Sequence, residues 1–413
     1  MISSSMMAIP FNFKTLYKKG GAYQILRFSI KLTKLYFILK FATPSAMAAF
    51  GIFSVMIFFL ESISKTGIAD YLIVEDNGTE YWDTAWSVEL LRGIFLFLLS
   101  LPLGYLLCSW YDIYEYYNIF FILSFGFLIN GLKNTYIIEL RKKLVLNKYI
   151  FYNTAPVILH LIATIGLFYF LTPLMAIALG LLTQHLFHVI LSYVMIMKRP
   201  SFNWSSDIIR RQFSFGKWIF LQTWLDFLNE KSDRLFFGFV LPQATFGLYV
   251  VASGFTTDLQ GQFRSLMRAF VFPALAAKFR DDSLGMKKVI LRQTVLISIV
   301  FLIGLVILMV LIYYNIFALI NPSWQGFELL LLPLLSVAYS GVLLAQLEAM
   351  YLAESAPRRF VIVSIIRVLM YVSLCVVFVL LGNDRFGLGL FLYSYALFTI
   401  LIFAWKILIY DER

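Results

Sequence analysis

Long apolar runs alternate with short polar breaks from one end of the chain to the other. Many runs approach the roughly 20 residues that a helix needs to cross about 30 Å of hydrocarbon. Read against the breaks, the pattern predicts twelve spans, at 23–41, 45–64, 84–108, 117–138, 150–170, 173–197, 213–239, 245–272, 288–314, 327–353, 358–381 and 387–409. The tight breaks contain Thr172-Pro173, Leu241-Pro242 and Asn321-Pro322, where proline cannot continue a helix. Tyr and Trp gather at span ends (Trp82, Trp110, Tyr313, Tyr314, Trp324, Trp405), as an interfacial belt requires.

The longest basic connector, 198–212, divides the pattern into two sets of six spans. The expected fold is therefore an all-α, polytopic membrane protein. Its N-terminal lobe is 1–197, its linker 198–212 and its C-terminal lobe 213–413, with a central cavity between the lobes. A weak echo relates FATPSAMAAFGIF (41–53) to FVLPQATFGLYVV (239–251). Each is a short proline-containing turn that re-enters an apolar helix. Two similar six-helix halves around a cavity are a common transporter plan.

Composition agrees with a membrane-embedded chain. The 413 residues are 61% hydrophobic and 14% charged, with a mean hydropathy of +0.82. The net charge of +11 does not point to nucleic acid, because the basic residues sit in short connectors and no basic domain exists to grip a duplex. One set of connectors holds Lys133, Arg141, Lys142, Lys143 and Lys148, then Lys198, Arg199, Arg210, Arg211 and Lys217, then Lys278, Arg280, Lys287 and Lys288. The alternate set offers only Arg385. The Lys/Arg bias places the basic connectors and both termini in the cytoplasm. The expected location is a bacterial inner membrane. The first 22 residues lack a signal-peptide core, so the first helix is expected to direct insertion. Cys108 and Cys375 stand alone in apolar segments, which implies neither a disulfide framework nor a metal cluster. No cofactor is expected.

Charge inside the spans is the candidate chemistry. WLDFLNEKSDRLFFGF (224–239) places Asp226, Glu230, Lys231, Asp233 and Arg234 in one helix, although a charge at mid-bilayer costs about 2.5–3.5 kcal/mol on insertion scales. Gln222, Asp226, Glu230 and Asp233 recur at helical spacing and so share a face. A buried ion-pair clamp is one reading, notably for Glu230, Lys231 and Arg234; a cavity charge network or cation-coupling site is the other. The first helix carries Arg27, Lys31 and Lys34 on one stripe. Arg27 can snorkel to headgroups, whereas Lys31 and Lys34 favour an aqueous cavity. Their alternative role is pairing with the acids of 224–239. Asp258, Arg264 and Arg268 lie along the eighth helix, and Arg367 lies inside the eleventh. His160, His185 and His188 read as packing residues, and Glu89 with Arg92 as a salt bridge. No phosphate loop, HExxH or GxSxG is present, so the chain reads as no enzyme and no self-powered ATPase.

The segment 213–282 carries four motifs. They are F-G-K-W, the N-x-x-x-D-R-L-x-x-G element of Asn229, Asp233, Arg234, Leu235 and Gly238, F-G-L-Y at 246–249 and F-P-A-L at 272–275. It resembles the polysaccharide-transport flippases, the Wzx-type members of the multidrug/oligosaccharidyl-lipid/polysaccharide (MOP) exporter superfamily. SISKTGIADYLI, YWDTAWSVELL and ELRKKLVLNKY within 62–150 extend the resemblance. It implies two six-helix lobes and the transfer of undecaprenyl-pyrophosphate-linked oligosaccharide to the periplasmic leaflet, for O-antigen or exopolysaccharide assembly. A polysaccharide polymerase and chain-length proteins would be partners, beside membrane lipid. Charge and depth then suggest Lys31, Lys34, Arg264, Arg268 and Arg367 for the pyrophosphate and sugar. Asp226, Glu230, Asp233, Arg234 and Asp258 would form the cation-coupling or cavity network. A multidrug or cation antiporter of the same superfamily is the alternative, disfavoured by the deep basic residues. A non-transporting scaffold of a polysaccharide assembly complex is another.

Overall fold

The computed structural model describes residues 13–65, 67–74, 78–143, 145–266, 286–353, 357–381 and 385–408. Six long helical units come from each half of the chain. The first half holds α1 (Phe13–Phe41), α2 (Pro44–Ile63), α4 (Thr79–Trp110), α5 (Tyr117–Gly131), α7 (Leu146–Leu167) and α8 (Pro173–Met195), with the short α3 (Ile68–Val74) and α6 (Glu139–Lys142) between them. The second half holds α9 (Ser206–Glu230) continued by α10 (Ser232–Val240), α11 (Gln243–Leu266), α12 (Met286–Tyr313), α14 (Phe327–Ala353), α15 (Pro357–Leu381) and α16 (Arg385–Leu408). A short α13 (Ile316–Ile320) precedes α14.

Among the described residues eight helices are long and apolar enough to cross a membrane, and the bent unit Tyr114–Gly131 with Thr135–Lys142, turned by 75°, makes a ninth. The other three expected spans correspond to α1, α9 with α10, and α11. These three carry Lys31 and Lys34, the charges of 224–239, and Asp258 with Arg264, so they fall short by composition while keeping the length of a span.

Several expected boundaries move. Helix α1 starts at Phe13 rather than near 23, and the expected linker 198–212 is already helical from Ser206. The connector 65–83 contains α3 and the first turn of α4. The 224–239 segment is not one continuous helix. Lys231 leaves helical geometry (φ −134°, ψ −17°) between α9 and α10. The Ser232 hydroxyl donates to the Leu228 carbonyl one turn back, a bond that competes with the helical ladder and bends helices. Asp226 and Asp233 therefore do not share one unbroken face.

Local sequence explains the sharp starts. Thr43 caps α2 by accepting from the Ala46 amide, with Pro44 in the first turn; Pro173 begins α8 in the same way. Proline suits that position because its missing N–H has no partner there anyway. Close crossings use glycine. A Cβ on Gly93 would lie 2.6 Å from the Phe127 carbonyl oxygen, and one on Gly131 2.9 Å from that of Glu89, so α4 and α5 touch backbone to backbone as membrane helices do.

The halves meet along α2 and α11, and that seam is uneven. At the end of the seam opposite the basic connectors, a Cβ on Gly247 would fall 1.7 Å from the Pro44 carbonyl oxygen, and one on Gly51 2.4 Å from Val250. Trp324, expected in the interfacial belt, is instead fully buried. Its indole N–H donates to the Ala42 carbonyl at 3.0 Å, because the Asn321-Pro322 turn folds the ring under the α1–α2 corner. Trp82 is also buried, stacked on Tyr136. Trp110, Tyr313, Tyr314 and Trp405 are exposed as a belt requires. Toward the basic connectors α11 loses its cover, and Asp258 and Gly261 are exposed.

Candidate functional site

Where the seam loosens, Lys31 of α1 meets Asp258 of α11, Nζ to Oδ1, at 2.6 Å. The two side chains are 24% and 53% exposed, so the pair is reached from outside although it lies well within both helices. Ten residues separate Lys31 from Phe41 at the end of α1, about 15 Å by helix rise, which is half the hydrocarbon thickness. Lys34 lies one turn on, half-buried. Asp258 and Lys31 are the charges that act on it most, and Lys34 in turn acts on His160 of α7. Two lysines and one aspartate leave the group with a net positive charge.

The alternative role for the lysines was pairing with the acids of 224–239. The partner found is Asp258. Asp233 and Arg234 follow one another on α10 but take different hydrogen-bond partners. Asp233 enters the second half, where the Tyr249 hydroxyl donates to Oδ2 and Tyr371 and Cys375 lie nearby; Oδ1 has no hydrogen-bond partner among the described residues. Arg234, 9% exposed, reaches back to α2 and donates to Ser54 Oγ at 3.5 Å. The i,i+4 pair expected between Glu230 and Arg234 lies outside the described side chains, as do Asp226 and Glu230 themselves. Arg268 lies outside the described residues.

Arg367 is not among the charges acting on Lys34. It donates to the Tyr395 hydroxyl at 2.8 Å and lies over that ring at 5.5 Å. Tyr395 also lines an apolar groove of about 560 Å³ with Leu228, Phe236, Tyr371 and Cys375. Arg264 stays on α11, half-buried, nearer the basic end than Asp258. The Glu89–Arg92 bridge forms as expected, at 2.7 Å. Glu61 was missed. It joins that bridge, with Arg92, Lys133, Glu89 and Lys65 as its charged neighbours. As the one charge of an otherwise apolar α2, it was visible in the sequence.

Residues 38–327 match the family described as polysaccharide biosynthesis protein. The chain belongs to that family. The search of curated proteins finds no match. Among solved structures, an inward-facing multidrug resistance MATE family transporter of the MOP superfamily superposes with a TM-score of 0.67 at 16% identity, over 92% of this chain and 94% of that one. An outward-facing MATE transporter gives 0.53 at 16% identity, over 94% and 93%. A MOP superfamily transporter from Pyrococcus furiosus, whose binding pocket is described as reversed in polarity, gives 0.50 at 16% identity, over 94% and 93%. These likenesses are to the MOP transporter fold. The protein is thus a multi-pass membrane protein of a polysaccharide biosynthesis family, with the fold of the MOP transporters.

Proposed function

We propose that this protein is a flippase that moves undecaprenyl-pyrophosphate-linked oligosaccharide across the bacterial inner membrane, by alternating access between lobes 1–197 and 213–413. The observation that carries this reading is the Lys31–Asp258 pair with Lys34 beside it: a net positive, reachable group at mid-depth between the halves. A pyrophosphate must keep its charge compensated inside a membrane, since an isolated ion there faces a desolvation cost of several kcal/mol. Lys34 attracts the incoming phosphates, and Lys31 exchanges Asp258 for them. Lysine suits such a transient contact because it presents a mobile point charge. The apolar groove beside Tyr371 and Tyr395 supplies a surface for the prenyl chain. Asp233, with one carboxylate oxygen unpartnered among the described residues, is the position for a coupling cation. A cationic drug is a poor fit to a site with two lysines and one aspartate.

The test is restoration of surface polysaccharide in a flippase-null strain at matched protein levels. Lys31→Ala combined with Lys34→Ala should insert normally and leave lipid-linked oligosaccharide on the cytoplasmic leaflet. Lys34→Arg should retain part of the activity. Wild-type polysaccharide from the double alanine variant would remove the phosphate role.

A further inference from the structure

A second pocket, of about 590 Å³, lies at the basic ends of α2 and α4, beside the connector after α8 and the start of α9. Lys65, Arg92, Phe95, Trp204, Phe213 and Phe220 are among its walls. Two independent counts give its depth. Helix α2 has 20 residues between Pro44 and Ile63, about 30 Å by rise, which equals the hydrocarbon thickness. Lys65, just past its end, therefore stands at headgroup level. On α4, Arg92 lies 18 residues before the exposed Trp110, about 27 Å by rise. Both cations reach the same interface.

Their charges are not equally occupied. Arg92 is fixed: its Nε donates to Glu89 at 2.8 Å and its NH1 to Ser64 Oγ at 3.2 Å. Glu61 and Glu89 together offset Arg92 and Lys133, the four being mutual neighbours. Lys65 is exposed and makes no ion pair among the described residues, although it is among the charges that act on Glu61; with Glu61 and Glu89 set against Arg92, Lys133 and Lys65, the cluster keeps one net positive charge, and Lys65 carries it at the mouth. Phe95, Trp204 and Phe213 are each at least half exposed. Tryptophan favours headgroup depth, with its ring against the upper acyl chain.

We propose that this pocket binds an anionic glycerophospholipid of the leaflet on the basic face. Lys65 and the remaining Arg92 N–H groups hold its phosphate, and Trp204, Phe95 and Phe213 flank the first part of a chain. The walls come from α2 and α4 of the first half and from α9, which leads into the second, so the lipid bridges the two. The site is separate from the Lys31–Asp258 group and holds whatever the transported substrate is.

The probe is brominated phosphatidylglycerol, compared with brominated phosphatidylcholine, as a quencher of tryptophan fluorescence in the purified full chain in detergent. The expected result is stronger quenching by the phosphatidylglycerol at low mole fraction, with the excess abolished in Trp204→Phe, where the reporter in the pocket is gone. Lys65→Gln, at an exposed position, should weaken the apparent affinity for phosphatidylglycerol roughly fivefold, the effect of about one basic residue near a lipid surface. Arg92→Lys, which keeps the charge beside Glu89, should weaken it less. Equal quenching by the two lipids overturns the proposal, as does an apparent affinity unchanged in Lys65→Gln or an excess that survives Trp204→Phe. Because the measurement is of binding, a loss of polysaccharide transport neither supports nor harms it.

Discussion

The two ends of the α2–α11 seam are built from different chemistry. At the Pro44–Gly247 end the backbones touch and a tryptophan is sealed beneath a helix corner. At the Asp258 end α11 is exposed and carries a lysine–aspartate pair with α1. Shape complementarity holds the first end, and a replaceable electrostatic contact marks the second. A transporter that alternates access needs both: one end closed tightly enough to exclude the substrate, the other able to exchange an internal partner for it.

The contrast is best broken at Trp324. Trp324→Ala removes a fully buried ring and its bond to Ala42, and large-to-small changes of this kind cost about 3–5 kcal/mol. The expected outcome is a lower thermal midpoint in detergent, with faster labelling of a cysteine placed at Ser45. An unchanged midpoint would mean that the ring does not seal this end. Gly247→Ala should cost less, about 1–3 kcal/mol for overpacking; it is still felt, because the Pro44 carbonyl cannot move aside as a side chain can. The same readouts apply, and wild-type behaviour would disprove the close approach.

Smaller effects on stability are expected at the open end. Asp258→Asn should change it by no more than about 1 kcal/mol, since an exposed pair is worth little, yet it should reduce polysaccharide export by altering how Lys31 is held. Export and stability falling together would make the pair a clamp. Gly261→Ala, on the same helix as Gly247 but with nothing near its added methyl, should leave both unchanged. A loss of stability there matching that of Gly247→Ala would erase the difference between the two ends.

Much of the fold was legible because membrane burial writes itself into single residues. Each apolar run reports a span, and each proline break reports a turn. The echo between 41–53 and 239–251 proved to mark the two strips that pack together, Gly51 on Val250 and Gly247 on Pro44. The candidate site was legible only as a set of charges. Lys31, Lys34 and Asp258 were all singled out, but the only acids weighed as partners for the lysines were those of the 224–239 segment. Helical spacing places residues on a face without naming the helix opposite. The break at Lys231 then separated Asp233 from the face on which it had been counted.

The sequence by itself determined the solvent of this protein, its helical class, the succession of its spans and which helices carry charge. These follow from local transfer free energies and backbone chemistry. Only the tertiary structure decided that Lys31 pairs with Asp258, that Asp233 bonds Tyr249 while Arg234 reaches Ser54, that Arg367 answers to Tyr395, and that Trp324 is buried rather than interfacial. The reason is distance along the chain: those partners are brought together by how helices cross and where they diverge, which no window of neighbouring residues contains.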